Sequence, residues 1–164
     1  MEAEKIEEGH ILLQGRYKQL TSTILSDEAY PFARELLGTS LNTIQDFYSQ
    51  TTWLELGNTE ILKELGFPGQ TIPEVVGPGD AICSDCSNPQ GECFDNVIPG
   101  SKLSSGYYEY DVPGSAIFVI PKPDNAGKCG HGGIMDDGVA KKAVGGISKE
   151  TSSPCFSPHH YLHK

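Results

Sequence analysis

Residues 37–57, LGTSLNTIQDFYSQTTWLELG, form the stretch that decides the fold. Its apolar residues recur at spacings of three and four, which predicts a helix with one apolar stripe. That stripe consists of Leu37, Leu41, Ile44 and the pair Phe47/Tyr48. Trp53, the only tryptophan, follows just past the expected end of the helix.

A polar row lies beside this stripe, formed by Asn42, Asp46 and Gln50. The three residues are four apart, so their side chains stack along one face of the helix. Two interpretations stay open. The row is either a set of metal ligands or a polar helix face whose side chains hydrogen-bond one another and nearby backbone.

The same stretch resembles the first motif of the amino-terminal region of von Willebrand factor A domain-containing protein 7, and of the fungal heterokaryon-incompatibility protein C family. Those regions are in turn similar to zinc-dependent phospholipase C and the three-zinc single-strand nucleases. The family pattern places a histidine four residues before and four residues after an aspartate. Asp46 matches that aspartate, whereas Asn42 and Gln50 stand where the histidines are expected. A carboxamide is a poor zinc ligand, so the resemblance implies a degenerate metal site.

A second pair of motifs carries the resemblance towards the carboxy terminus. GKCGHGG at 127–133 and SPHHYLH at 157–163 match the family in order and spacing, with Cys155 as a departure. Ser157 and Pro158 are typical of a helix start. His159 and His163 would then share a face, as two zinc-binding imidazoles on one helix do. With His131 and Asp46 they form the predicted site for one residual divalent ion, zinc rather than calcium. The alternative is that these histidines hydrogen-bond to loop carbonyls and that no cofactor is held.

His10, on the first predicted helix, is either a further ligand or a packing residue.

Composition indicates one domain with a helical half and a loop-rich half. The 164 residues include 19 glycines and 11 prolines, most of them after residue 65. We expect helices over 4–25, from a Ser26 N-cap onward, and over 60–65. Gly15 weakens the first of these, so two shorter pieces are an equal expectation. The predicted organisation is a single domain, 1–164, made of a helical half (1–65), a loop-rich insertion (66–156) and the start of a further helix (157–164). The insertion contains a predicted β-hairpin, 105–110 with 116–120.

Taken with the resemblance, the predicted fold class is mainly α: a fragment of a helical phospholipase-C-like core with a long disulfide-stapled insertion. No apolar run is long enough for a transmembrane helix, and a net charge of −10 disfavours binding to nucleic acid. No signal peptide opens the chain. We therefore expect a fragment of a longer secreted protein, and the resemblance implies a von Willebrand A domain downstream.

Five cysteines lie at 83, 86, 93, 129 and 155. In a reducing compartment four of them suit a structural zinc site, and in a secreted protein they would form disulfides. The resemblance favours secretion, hence two disulfides among Cys83, Cys86, Cys93 and Cys129, in any of three pairings. Cys155 is left over as a buried thiol or as half of a bridge to another segment.

Two functions remain as hypotheses. The first is a non-catalytic extracellular module that binds a protein or an extracellular surface, with Trp53, Tyr107 and Tyr108 as contact residues. The alternative is a zinc-dependent phosphoester hydrolase, in which a zinc-bound hydroxide attacks the substrate. The loss of two imidazoles favours the first.

Overall fold

Two long helices form the regular part of the molecule. The computed structural model describes residues 4–26, 29–84, 96–100, 102–107, 120, 122–123 and 126–130. Helix α1 spans Ile6–Ser26 and helix α2 spans Tyr30–Gln50. The described part is thus mainly helical, and it contains isolated β-bridges but no sheet. The predicted hairpin strands, apart from residues 105–107 and 120, and the predicted helix at 157–164 lie outside the described residues.

Helix α1 is continuous through Gly15, so the alternative of two shorter helices is wrong. One interior glycine costs about 1 kcal/mol, which packing along the rest of the helix offsets. Glu7 and Glu8 in the first turn favour this helix by interacting with its dipole. The buried side is a stripe that faces the rest of the molecule: Ile6, Gly9, His10, Leu13 and Thr23.

Helix α2 begins at Tyr30, with Pro31 in its first turn, where the missing N–H costs no hydrogen bond. The predicted Ser26 N-cap is wrong, because Ser26 is the last residue of α1 and its hydroxyl donates to the Ser22 carbonyl at 2.6 Å. Ala29 occupies the cap position and contributes no side-chain hydrogen bond. The helix ends at Gln50, and Trp53 follows it as predicted.

The two helices pack against each other. Arg16 of α1 reaches across to α2, where its Nη1 donates to the Thr39 carbonyl and to the Thr43 hydroxyl, both at 2.9 Å. On α2 the fully packed residues are Ala33 and Phe47. The predicted single apolar stripe is therefore divided: Phe47 is buried, whereas Leu37 and Leu41 are 46% and 50% exposed.

The predicted helix at 60–65 is wrong, since these residues form bends and turns. Side chains near the end of α2 bind backbone groups of this stretch, among them the Glu60 carbonyl, which a helix would have used. Tyr48 accepts a hydrogen bond from the Leu62 amide at 3.0 Å, and the Trp53 indole donates to the Glu60 carbonyl at 3.1 Å. Gly66 then turns the chain with a positive φ of 73°, which glycine adopts freely.

Segment 102–107 lies between three other parts of the chain. Ser105 bridges Thr51 after α2, Leu103 bridges Val75, and Tyr107 bridges Gly130. Two hydrophobic clusters flank the segment. One contains Ile6, Phe47, Trp53 and Leu103; the other contains Val76, Ile82, Cys83 and Cys129.

Candidate functional site

The polar row on α2 is the first candidate site. Gln50 donates from Nε2 to Asp46 Oδ1 at 3.4 Å, one turn apart on the helix. Asn42 is exposed, and Asp46 and Gln50 are half-buried. The row therefore exists as a surface feature of α2, with its one carboxylate bonded to a neighbouring carboxamide.

This donor set does not fit zinc. Structural and catalytic zinc sites need three or four thiolate, imidazole or carboxylate ligands, and the row supplies one carboxylate and two weak amide oxygens. Among the described residues, no three His, Cys, Asp or Glu side chains cluster closely enough to hold a metal ion. The other predicted ligands, His131, His159 and His163, lie outside the described residues.

His10 is a packing residue with both ring nitrogens occupied. Its Nδ1 accepts a hydrogen bond from the Gly66 amide at 2.9 Å, and its Nε2 lies 3.0 Å from the Gln70 carbonyl. An amide can only donate and a carbonyl can only accept, so these two contacts assign the acceptor role to Nδ1 and the donor role to Nε2, which also lies 3.0 Å from the Gln14 amide nitrogen. Gln14 completes the arrangement by donating to the Phe67 and Gln70 carbonyls. His10 therefore fastens the 66–70 turn to α1, and the metal-ligand interpretation of this residue is wrong for this geometry.

A second candidate site is a buried cluster that we call the polar junction, formed by Glu4, Ser104, Ser105 and Lys128. Lys128 Nζ lies 3.3 Å from Glu4 Oε1, with side-chain exposures of 0% and 10%. The ammonium also donates to the Gly77 carbonyl at 2.7 Å. Burial of a lysine to this extent requires such partners, because an unpaired ammonium strongly prefers water.

Both carboxylate oxygens of Glu4 are bonded. Ser104 Oγ donates to Oε1 and the Ser105 amide donates to Oε2, each at 3.0 Å. The Glu4 amide in return donates to Ser105 Oγ at 2.9 Å. Glu4 adopts a positive φ of 64°, which costs a non-glycine residue about 1–2 kcal/mol. These bonds hold the start of α1 against segment 102–107.

Burial dominates the electrostatics of the polar junction. It raises the pKa of Glu4, although the Ser105 amide, the Lys128 charge and the Ser104 hydroxyl all oppose the rise. Burial likewise raises the pKa of Tyr107 to about 12, with a smaller contribution from the negative charge of Glu4. The carboxylate is surrounded by donors, so this arrangement suits a structural crosslink rather than binding of a ligand from solvent.

A disulfide lies next to the polar junction. Cys83 and Cys129 are joined with their α-carbons 5.3 Å apart, and both side chains are buried. Cys129 also accepts a backbone hydrogen bond from the Tyr107 amide at 3.0 Å. The structure thus contains one pairing between predicted disulfide cysteines, and Cys86, Cys93 and Cys155 lie outside the described residues.

The aromatic residues predicted as contacts are core residues where they are described. Trp53 is 7% exposed and packs against Phe47, with ring centroids 5.7 Å apart. Tyr107 is 4% exposed. Tyr108 lies outside the described residues. Because large aromatic side chains gain most by burial, a cluster after a helix end is a core signal more often than a surface one.

Comparison with known proteins identifies the family. All 164 residues match the family described as the VWA7 N-terminal domain. The chain belongs to this family. It is similar to von Willebrand factor A domain-containing protein 7 of Mus musculus, with 37% identity, of Rattus norvegicus, with 36%, and of Homo sapiens, with 35%. Each match covers 99% of this chain and 17% of the relative, and no solved structure matches.

Within this VWA7 N-terminal domain, the polar junction is what sequence reasoning missed. Glu4 and Lys128 are 124 residues apart, and Ser104 and Ser105 lie in a loop-rich region without periodicity. Lys128 lies in the GKCGHGG stretch, next to the predicted disulfide residue Cys129. No local sequence pattern, however, connects this stretch with Glu4. The predicted family is shown, and the likeness to phospholipase C stays a prediction.

Proposed function

We propose that this VWA7 N-terminal domain is a non-catalytic, extracellular structural and recognition module of a longer protein. The pairing of Gln50 with Asp46 carries the proposal. At this position the family resemblance predicts a metal ligand on either side of the aspartate. This chain has carboxamides at both positions, Asn42 and Gln50. Gln50 donates a hydrogen bond to the Asp46 carboxylate, which a cation would need as its ligand.

The chemistry of the row supports a non-catalytic role. A zinc hydrolase of phosphoesters needs a metal that makes hydroxide at neutral pH and neighbouring charge that stabilises the phosphoryl group. One half-buried carboxylate with two amides supplies neither of these. The proposal therefore assigns the row no catalytic part, with no cofactor or one residual divalent ion held elsewhere in the chain.

The Cys83–Cys129 disulfide supports an extracellular location. Such bonds persist in oxidising compartments, and thiols in the cytosol are kept reduced. Alkylation of the native protein without reduction tests this, since peptide mass spectrometry reads each cysteine separately. If Cys83 and Cys129 stay unalkylated in the protein as isolated from the cell, the disulfide is present and secretion is supported. If both cysteines are alkylated, the extracellular location is contradicted.

The partner in this proposal is a protein or an extracellular surface. The relatives are named for a von Willebrand factor A domain and are much longer than this chain, which spans 17% of their length. We infer that such a domain follows this module. None of the helices in the described part of the chain combines the length and hydrophobicity needed to cross a membrane.

Metal analysis of the purified protein tests the non-catalytic assignment. At most one equivalent of a divalent ion supports the proposal, and about two or more equivalents of zinc, as a two-metal hydrolase holds, contradict it. Asn42→His/Gln50→His then tests the geometry of the row. The double variant should bind zinc more tightly than the parent, and adding Asp46→Asn should weaken that gain. A double variant without any gain would show that these three positions never formed a ligand set.

A further inference from the structure

The 66–70 turn is fastened to α1 through the two nitrogens of the His10 ring. The Gly66 amide donates to Nδ1 at 2.9 Å, and the Gln70 carbonyl lies 3.0 Å from Nε2 on the other side of the ring. The turn approaches α1 so closely that a Cβ at Gly66 would lie 2.6 Å from Leu13 Cβ. The ring is 6% exposed and is therefore held between the first and the last residue of the turn.

The bond from Gly66 exists only while the His10 ring is neutral. A backbone amide donates and cannot accept, so Nδ1 is the acceptor whichever way the neighbouring Gln14 amide is oriented. The neutral ring has one free lone pair, on Nδ1, and the imidazolium forms by protonation of that atom. In the imidazolium two N–H groups would point at each other across 2.9 Å, so the charged ring loses the Gly66 bond.

None of the described charged side chains contacts the His10 ring. Its polar contacts are with Gly66, Gln70 and Gln14, all of them uncharged. The ionisable residues nearest to it along α1, α2 and the segments after α2 make neither a hydrogen bond nor an ion pair with the ring: Glu7, Glu8, Asp46, Glu55, Lys63, Glu64 and Glu74. A buried imidazolium without an anionic partner is unfavourable, so nothing offsets the loss of the Gly66 bond.

We propose that His10 is a proton-sensitive latch, whose neutral ring holds the 66–70 turn on α1 and whose protonation in mildly acidic surroundings releases the turn. Histidine is the side chain whose ordinary change of charge falls between about pH 5 and 8. Since only the released ring takes up the proton, the latched state is favoured at neutral pH and weakens as the pH falls. The proposal rests on hydrogen-bond geometry and holds whether or not the proposed function is correct.

Release of the turn is a local change, because the chain on either side has other contacts. The turn lies against Leu13, which is 4% exposed, and the Phe67 ring lies 5.6 Å from the Tyr17 ring. Beyond the turn, Val75 bridges Leu103 and packs on the hydrophobic cluster that contains it. Protonation therefore uncovers an apolar patch at Leu13 and Phe67 and leaves the core in place.

Hydrogen exchange of the full-length protein at about pH 7.5 and about pH 5 tests the latch. An imidazole in water titrates near pH 6.5, so uptake of one proton by the released ring alone favours release by about 30-fold more at the lower pH. We expect the protection factor of the Gly66 amide, which is corrected for the chemical exchange rate, to fall by about that factor. The buried Phe47 in α2 supplies the reference amide, and its protection factor should change less. A fall at Gly66 no larger than that at Phe47 would overturn the proposal.

His10→Asn is the matched control variant. Its side-chain oxygen offers an acceptor near the position of Nδ1 and does not titrate in this range. We expect the Gly66 and Phe47 protection factors of this variant to respond alike to the change of pH. An equal fall at Gly66 in the parent and in the variant would assign the pH dependence to another group and overturn the proposal. If the variant fails to fold, the comparison of Gly66 with Phe47 in the parent still decides the matter.

Discussion

Removal of the buried lysine charge is the sharpest test of the polar junction. In Lys128→Met the side chain keeps its approximate length but loses the ammonium, which leaves the Glu4 carboxylate without its cation and the Gly77 carbonyl without its donor. Breaking a buried ion pair by removing one partner costs about 3–5 kcal/mol. That is a large part of the 5–15 kcal/mol that holds a typical domain together.

Urea unfolding with the disulfide intact measures this cost. Trp53 is the only tryptophan and is buried, so its fluorescence reports the loss of the core. With an m-value of about 2 kcal/mol per molar urea, the expected loss lowers the midpoint by about 2 M. The double variant Glu4→Gln/Lys128→Met should lose less than the sum of the single variants, since it leaves no unpaired charge, and the difference should be about 1–3 kcal/mol.

The chain offers a matched control in its exposed ion pair. Lys102 Nζ lies 2.5 Å from Glu74 Oε1, closer than Lys128 lies to Glu4, but these side chains are 44% and 72% exposed. Solvent screens exposed pairs, so Lys102→Met should leave the midpoint where it is. If Lys102→Met and Lys128→Met lower the midpoint equally, burial does not determine how much the Glu4–Lys128 pair contributes to stability. That result would refute the prediction.

Three further predictions follow from the packing and the titration of single residues. Gly66→Ala should destabilise the protein by about 1–3 kcal/mol more than Gly69→Ala in the same urea assay. Both glycines have a positive φ, but only at 66 would an added Cβ lie 2.6 Å from Leu13 Cβ. Equal losses of stability would refute the close approach. Because the pKa of Tyr107 is raised to about 12 in the folded protein, the unfolded state loses the phenol proton at lower pH. The free energy of unfolding should therefore fall as the pH rises from about 10 to about 12, and Tyr107→Phe should remove that part of the fall. The same alkaline profile in Tyr107→Phe would contradict the raised pKa of Tyr107. His10→Ala should cost about 1–3 kcal/mol and raise hydrogen exchange at the Gly66 amide, which loses its acceptor, and unchanged protection at that amide would show that the bond is dispensable.

Periodicity predicted the parts of the fold that depend on near neighbours. The helical character of 37–50, the end of α2 before Trp53 and the early position of Pro31 all follow from spacing and capping preferences within a few residues. The apolar pattern of α2 was correct but ambiguous. Residues three and four apart share a broad side of a helix, and the pattern could not divide that side into a packed face at Phe47 and a half-exposed line at Leu37 and Leu41.

The Ser26 error has a local cause, since its hydroxyl bonds within α1, whereas the error at 60–65 arose where a distant side chain overrides local preference. The 60–65 stretch has capping signals for a helix, but the Trp53 indole occupies the Glu60 carbonyl that the helix would have bonded. Of the candidate site, the polar row on α2 was predictable because its members are four residues apart. The polar junction was not, because its ion pair joins residues 124 positions apart and depends on where Ser105 lies.

Segment 102–107 explains why the long-range contacts decide this fold. Within six residues the segment bridges the end of α2 at Thr51, the loop at Val75 and the chain after the disulfide at Gly130, and it receives Glu4 from the start of α1. Each of these contacts closes a long loop, whose entropy must be offset by burial and by fully bonded polar groups. The polar junction and the Cys83–Cys129 bond lie where those loops meet. The helices contribute the apolar faces, but it is this crossing point that fixes them relative to the loop-rich half.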